Sequence, residues 1–240
     1  MRLIPSMDLL GGQVVRLLKG ERQSAFVYPT SPDAWIKRLV DAGARRIHLV
    51  DLDAAFGEAP QRALRGFAKA WPGVSFQLGG GLRSREAVLR VQDDGFDAVL
   101  GTLAMEAPSA LKGLDPSRLI AALDLRAGAP VVRGWTAASA LSLKAVAAPL
   151  RDLGIQRALV TDVERDGAMT GPGLEALALV AALGFRVQAS GGLRDLADLA
   201  LIAAVPGAES AISGKALLDG RMTPEDPAVK AAMAAPEGAH

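Results

Sequence analysis

The 240-residue chain is half hydrophobic, 22% charged and 4% aromatic, which excludes disorder and at this length fits one large α/β domain or two small ones. Lys plus Arg (27) nearly balances Asp plus Glu (26), so there is no basic field to hold nucleic acid. Its longest apolar stretches, 174–185 and 196–205, are broken by Glu175 and Asp198 and fall short of the roughly 18 residues that suggest a membrane span.

Short β-rich runs alternate with helical patterns from end to end. In chain order the strands are expected at 2–8, 46–51, 74–78, 97–101, 118–125, 157–162, 186–190 and 209–213. Helices are expected between them at about 32–42, 60–71, 84–94, 103–113, 139–153, 173–183 and 195–204, with one or two more at 215–235. Ser31-Pro32-Asp33 and Thr223-Pro224-Glu225 read as helix starts with Pro in the first turn, and Gly43, Gly73, Gly95, Gly154 and Gly184 as helix ends or the turns that follow. The segment from Leu10 to Thr30 is too long for a simple connection; with Gly11-Gly12, Arg16, Lys19-Gly20 and Arg22 it reads as a mobile lid. Eight strand–helix units point to a closed (β/α)8 barrel of parallel strands. The rival, an open doubly wound sheet, lacks its Gly-x-Gly-x-x-Gly fingerprint after the first strand.

The chain also repeats itself. The run from Arg2 to Leu9 matches that from Arg118 to Leu125 at an offset of 116, with Asp8 falling on Asp124. Asp41, Gly43, Arg46 and Asp51 match Asp152, Gly154, Arg157 and Asp162 at an offset of 111, as Gly80-Gly81-Leu82-Arg83 matches Gly191-Gly192-Leu193-Arg194. One barrel over residues 1–240, made of two half-barrels at about 1–115 and 116–240, accounts for these offsets.

In such a barrel the chemistry sits at the C-terminal ends of the strands, where Asp8, Asp51, Asp124 and Asp162 fall. Helix capping or pairing with Arg is the ordinary role of a strand-end Asp. Asp8 and Asp124 stand apart from it, because each ends an apolar strand on an opposite side of the mouth. Gly79-Gly80-Gly81 with Gly101-Thr102, and Gly191-Gly192 with Ser213-Gly214-Lys215, leave backbone N–H groups free at opposing rims. Freed amides of this kind bind anions, so two clusters suggest a substrate with two phosphates; tight turns are the plainer explanation. The acidic segment 161–167 after strand six adds carboxylates for proton transfer.

Cysteine is absent, which removes thiolate chemistry and Cys-based metal sites. Only two histidines occur; His240 is terminal, and His48, mid-strand, reads as a hydrogen-bonded packing residue. None of the seven lysines lies inside a strand, against Schiff-base chemistry. Arg126, Arg133 and Trp135 follow strand five, and Trp135 could stack on a planar heterocycle or pack the lid. Neither metal nor cofactor is expected, and an acid as early as Asp8 leaves no room for a signal-peptide core. A cytoplasmic monomer is the expectation.

The motifs Ile4-Pro5-Ser6-Met7-Asp8-Leu9, Val15-Arg16-Leu17, His48-Leu49-Val50-Asp51-Leu52, Gly79-Gly80-Gly81-Leu82-Arg83, Leu123-Asp124, Gly134-Trp135, Thr161-Asp162 with Arg165-Asp166-Gly167, Ser190-Gly191-Gly192 and Gly214-Lys215-Ala216-Leu217 together resemble one family over nearly the full length. It is that of the histidine-pathway isomerases acting on phosphoribosylformimino-5-aminoimidazole carboxamide ribotide. The resemblance implies a cofactor-free Amadori isomerase, converting an aminoaldose to an aminoketose, with a bisphosphorylated substrate. It implies Asp8 as general base at ribose C2 and Asp166 as the acid that assists ring opening. Asp124 is a further candidate donor, and Thr161 a supporting polar residue. Arg16, Arg83, Trp135 and the Gly clusters would bind substrate and its phosphates. Met7, Ala168-Met169 and Ser213 depart from the family pattern. Three alternatives remain: the sister cyclase barrel, disfavoured by the absent Cys and by Arg16 and Trp135; a dual-substrate isomerase also taking phosphoribosylanthranilate, which Arg133-Gly134-Trp135 resembles; and a non-catalytic phosphosugar-binding barrel.

Overall fold

The computed structural model describes residues 1–236 apart from 19, 62, 63 and 65. Lys19 of the expected lid, Arg62, Ala63 and Arg65 of the expected helix at 60–71, and His240 therefore lie outside the described residues.

The eight strands form where expected: β1 (Arg2–Leu10), β2 (Arg46–Asp51), β3 (Ser75–Gly79), β4 (Asp97–Leu100), β5 (Leu119–Arg126), β6 (Arg157–Asp162), β7 (Arg186–Ser190) and β8 (Ala208–Ser213). Each pairs in parallel with its neighbours in chain order. β8 returns to β1 with Ile4 beside Ile212, closing the barrel.

Side chains along a strand alternate between two faces. One face packs outward on the helices, burying Leu3, Ile47, Leu49, Leu123 and Val160 in the larger core. The other fills the barrel. Ile4, Val99, Ile120, Leu159 and Ile212 form its apolar layer. The same period of two then fixes the mouth: Asp8 and Asp124 lie four residues beyond Ile4 and Ile120, about 13 Å along their strands, and Thr161 two beyond Leu159. Below the apolar layer the interior is polar. Gln77 Nε2 meets Gln188 Oε1 at 2.9 Å and His48 Nδ1 at 3.1 Å. Arg46 donates to Gln77 Oε1 at 3.3 Å, and Gln188 to Glu209 at 3.3 Å. Burial lowers the His48 pKa to about 4, so its ring is neutral and serves as a packed hydrogen-bonding group.

Helices start at side-chain caps: Ser31 accepts from Ala34 N, Ser84 from Ala87 N and Ser142 from Ala145 N. Three expected helices are shorter than read. The one at 103–113 is an α-turn at Thr102–Glu106 followed by a 3-10 turn at Pro108–Leu111, because a proline ring clashes with the preceding turn. The one at 139–153 begins at Leu143, behind Ser142. At 60–71 only Phe67–Ala70 is α-helical among the described residues. The C-terminal pair is Lys215–Leu218 and Pro227–Ala234, the latter capped by Asp226 rather than by Thr223.

The largest correction concerns 10–30. It is a β-hairpin, not a loop: β1 runs on to Leu10 and turns at Gly11-Gly12 (φ 56 and 77) into Gln13–Leu18, which pairs with Glu21–Val27. β5 does the same, turning at Ala127-Gly128 (φ 48 and 78) into Ala129–Val132. Two consecutive left-handed residues give the turn whose twist matches a hairpin.

Candidate functional site

The hairpins place the carboxylates. Asp8 pairs across with Val15 and Asp124 with Val131, so each acid stands where its strand leaves the barrel and becomes an arm. Arg16, next to Val15, reaches over the mouth. Its Nη1 lies 3.4 Å from Asp8 and its Nη2 donates to Asp166 at 2.7 Å. All three side chains are mostly buried, at 15–18% exposure. A carboxylate of β1 and one from the loop after β6 thus share one guanidinium.

Burial raises the Asp8 pKa to about 6; Arg16 opposes the rise and the nearby Asp166 adds to it. Burial also raises Asp124, partly offset by hydrogen bonds from the Trp135 indole and the Thr161 hydroxyl. Thr161 is positioned by register, directly beside Asp124 on the neighbouring strand. Trp135 is held by backbone: Arg133, Gly134 and Trp135 are all left-handed (φ 57, 64 and 70), a conformation that costs a non-glycine residue about 1 kcal/mol or more. Its indole also lies against Gly20 of the hairpin turn, where an added Cβ would sit 3.5 Å from the ring. Trp135 therefore packs against the first hairpin and contacts an acid at once.

The remaining sequence candidates divide. Gly80, Gly81, Gly191 and Gly192 are left-handed, and a side chain at Gly80, Gly81 or Gly192 would come within 2.2 Å of a backbone oxygen of Asp51, Ala54 or Gly171. Their glycines are demanded by close packing of each rim on the loop before it. Gly79 has ordinary contacts, and Gly101 is neither left-handed nor crowded. Gly101 caps the short helix Thr102–Glu106, where no side chain takes up the first amides. Thr102 Oγ1 accepts from Arg133 N at 2.9 Å. The Arg83 guanidinium donates to the carbonyls of Ala54 and Ala55, in the segment after β2, at 3.2 and 2.6 Å. Asp51 and Asp162 take the ordinary role, accepting from Ala54 and Gln61 N and from Glu164 N.

On the opposite rim, Gly214 opens the short helix carrying Lys215, and an added Cβ there would meet Ser6 Oγ at 2.7 Å. Lys215 is paired with Asp219, which also accepts from Tyr28 Oη at 2.7 Å. Arg16, Tyr28, Gly167, Lys215 and Asp219 line a cavity of about 260 Å3 beside the Asp8–Arg16–Asp166 bridge. Three tethers escaped sequence reasoning: Tyr28 and Asp219 at this cavity, and Asp53, whose carboxylate accepts from Gly11 N at 3.0 Å and pins the hairpin turn. Only the Lys215/Asp219 spacing of four along a helix was a usable signal.

A family described as histidine biosynthesis protein matches residues 2–223. A protein of Thermomicrobium roseum is 41% identical over 234 residues, covering 95% of this chain and 96% of its own. It is named 1-(5-phosphoribosyl)-5-((5-phosphoribosylamino)methylideneamino) imidazole-4-carboxamide isomerase. Proteins of Synechococcus elongatus (42% over 229 residues; 92% of this chain and 89% of that one) and Sorangium cellulosum (41% over 232; 93% and 96%) bear the same name.

Proposed function

The chain belongs to the histidine biosynthesis protein family, and we propose that it catalyses the Amadori rearrangement named in those relatives. The reaction converts the phosphoribosylformimino aminoimidazole carboxamide ribonucleotide, an aminoaldose, to its phosphoribulosyl isomer. The observation that carries the reading is the pair Asp8 and Asp166, brought from opposite sides of the mouth onto one guanidinium.

The chemistry needs a proton delivered to the ribose ring oxygen as the furanose opens and a proton taken from C2. The opened species is a protonated imine, which acidifies C2 enough for a carboxylate to act as base. Asp8 takes that proton; with a pKa of about 6 it is a stronger base than an ordinary Asp and still ionised at neutral pH. Asp166 delivers the other proton, which it takes up from water once substrate displaces Arg16 from it. Asp124 is the second candidate donor, favoured by its raised pKa. Thr161 and Trp135 hold Asp124, and Arg16 on its hairpin arm closes over the substrate.

The two phosphates belong at opposing rims, one against Gly79 to Gly81 with Gly101 and Thr102, the other against Gly191, Gly192, Gly214 and Lys215. Support comes from the open space above Gly101 and from the cavity beside Lys215. Arg83 supports its rim through the Ala54 and Ala55 carbonyls. A duplicated half-barrel, about residues 1–115 and 116–240, belongs to this reading; Asp8 opposite Val15 and Asp124 opposite Val131 fit it, since both pairs are 116 apart. The enzyme works as a cytoplasmic monomer without cofactor in this reading. No helix among the described residues is long and apolar enough to cross a membrane.

Turnover of the ribonucleotide by purified protein tests the proposal. Asp8→Asn is expected to lower kcat by about 10²–10⁴-fold with KM near normal. Asp166→Asn and Asp124→Asn identify the donor by which of them matches that loss. An Asp8→Asn variant that is folded and turns over at the wild-type rate would exclude Asp8 as base, and a wild-type chain without turnover would exclude the activity.

A further inference from the structure

We propose that Asp53 is a positioning residue for the Asp8–Arg16–Asp166 bridge: it moors the turn of the first hairpin and thereby fixes where Arg16 stands against Asp8. The inference rests on the isomerase reading and adds to it a residue outside both the bridge and the phosphate rims.

Register brings Asp53 to the turn. β1 and β2 run in parallel with Leu9 beside Asp51, so Gly11 and Asp53 meet two residues further on. Both Asp53 oxygens accept from Gly11 N, at 3.0 and 3.2 Å, and the residue is buried. A buried carboxylate is costly unless hydrogen-bonded, and its bond to an amide is stronger than a neutral one. A Cβ added at Gly11 or Gly12 would meet nothing within 4 Å, so side-chain packing does not hold this turn in place. The same segment reaches the outer strand of the hairpin. Asp53 O accepts from Glu58 N at 2.9 Å, and Glu58 pairs with Arg22, whose guanidinium lies 5.2 Å from the Phe56 ring centre. That pair is half-exposed, and exposed ion pairs contribute little; the buried bond at Gly11 is the stronger mooring.

Arg16 depends on this end of the hairpin. Inward from the turn, Leu10 pairs with Gln13, Leu9 with Val14 and Asp8 with Val15, so the turn sets the register of the return strand on the acid. A slip of one residue would send its side chains to the other face. The outer strand does not fix that register, because its pairing with the return strand shifts between Arg16 and Leu18. Arg16 Nη1 is already 3.4 Å from Asp8 while Nη2 holds Asp166 at 2.7 Å. A displacement of about 1 Å therefore leaves Asp8 without its guanidinium, and misplacement of that size costs up to about 10²-fold in rate.

Titrating the 13C-labelled Asp8 carboxyl by NMR reads the position of Arg16 without turnover. Arg16→Gln should raise the Asp8 midpoint above its value of about 6, because burial stays and the opposing charge goes. Asp53→Ala should raise it likewise, by about one pH unit. Asp53→Asn, which keeps an oxygen for Gly11 N, should leave it near wild type. In the Arg16→Gln background, Asp53→Ala should move it no further. Turnover of the ribonucleotide is expected to follow the same pattern. Asp53→Ala lowers kcat/KM about tenfold or more in the wild-type background, and about twofold at most once Arg16 is replaced. General loosening of the fold would give equal losses in both backgrounds. Asp53→Ser, whose oxygen is one bond short of Gly11, takes the place of the alanine variant if that chain does not fold. An Asp8 midpoint that Asp53→Ala leaves unmoved or lowers, or equal losses in the two backgrounds, would overturn the proposal. A wild-type chain without turnover overturns the isomerase reading instead, and the titration still decides whether Asp53 sets Arg16 against Asp8.

Discussion

Asp8 holds its proton to a pKa of about 6 because burial outweighs the attraction of Arg16, and that sets stability against chemistry at one side chain. A carboxyl raised on folding contributes stability that is full below its unfolded value, near 4, and is lost as pH climbs through 6. At neutral pH the ionised group therefore weighs on the fold by up to ~3 kcal/mol. Asp8→Asn is expected to raise Tm at pH 7.5 by several degrees and to change it little at pH 4, measured by calorimetry at both. In kcat/KM the wild-type acid limb should fall below about pH 6, as the base is protonated. At Trp135 the two contacts can be separated. Trp135→Phe keeps a ring against Gly20 and deletes the N–H at Asp124, whereas Trp135→Ala deletes both. If the ring serves binding, KM rises mainly in the Ala variant; a kcat loss in Phe with KM unchanged would place the indole N–H in the proton chemistry instead.

The elements were legible in proportion to how local their signals are. Each barrel strand is an apolar run bounded by glycine or a turn, and all eight were readable within a residue or two. Asp8, Asp124 and Thr161 could be placed at the mouth because strand periodicity alone puts them there. The two arms were missed although Gly11-Gly12 between alternating residues is a hairpin signature; connection length was read in place of turn chemistry. With the hairpin missed, the bridge from Arg16 to Asp166, 150 positions away, could not be read from sequence either. The rim glycines show the same limit: sequence presents them as equivalent, and packing separates them. Gly81→Ala forces a Cβ to 2.2 Å from the Ala54 oxygen at a left-handed φ of 66. It should destabilise by roughly 1–3 kcal/mol or more. Gly101→Ala enters open space, so Tm should hold while KM rises if a phosphate docks there. Thermal melts and KM measured on the same two proteins check both halves.

Across the whole molecule the interior is layered: acids at the mouth, an apolar belt, and a polar plug beneath it. Gln77 is the hinge of that plug, wholly buried and bonded to His48, Arg46 and Gln188. Gln77→Leu would fit the volume but strand three polar partners, at about 1–3 kcal/mol for each one left unsatisfied. Urea unfolding should show a loss of at least ~2 kcal/mol, with substrate turnover intact at temperatures where the protein stays folded. Such a plug was not readable from the sequence, because its members come from four strands and each looks like an isolated polar residue in an apolar run. The barrel seam has a consequence for how the chain reaches this state. β1 meets β8 through partners such as Arg2 and Ser210, or Ile4 and Ile212, whereas the other barrel pairings join strands adjacent in order. Closure across that span carries the largest loop entropy in the sheet, so the seam zips last on the folding route. Contacts made after the transition state govern escape from the native state rather than arrival. Ile212→Val should therefore quicken unfolding in a denaturant jump while the refolding limb is unmoved, and the lifetime of the closed barrel is set at its seam.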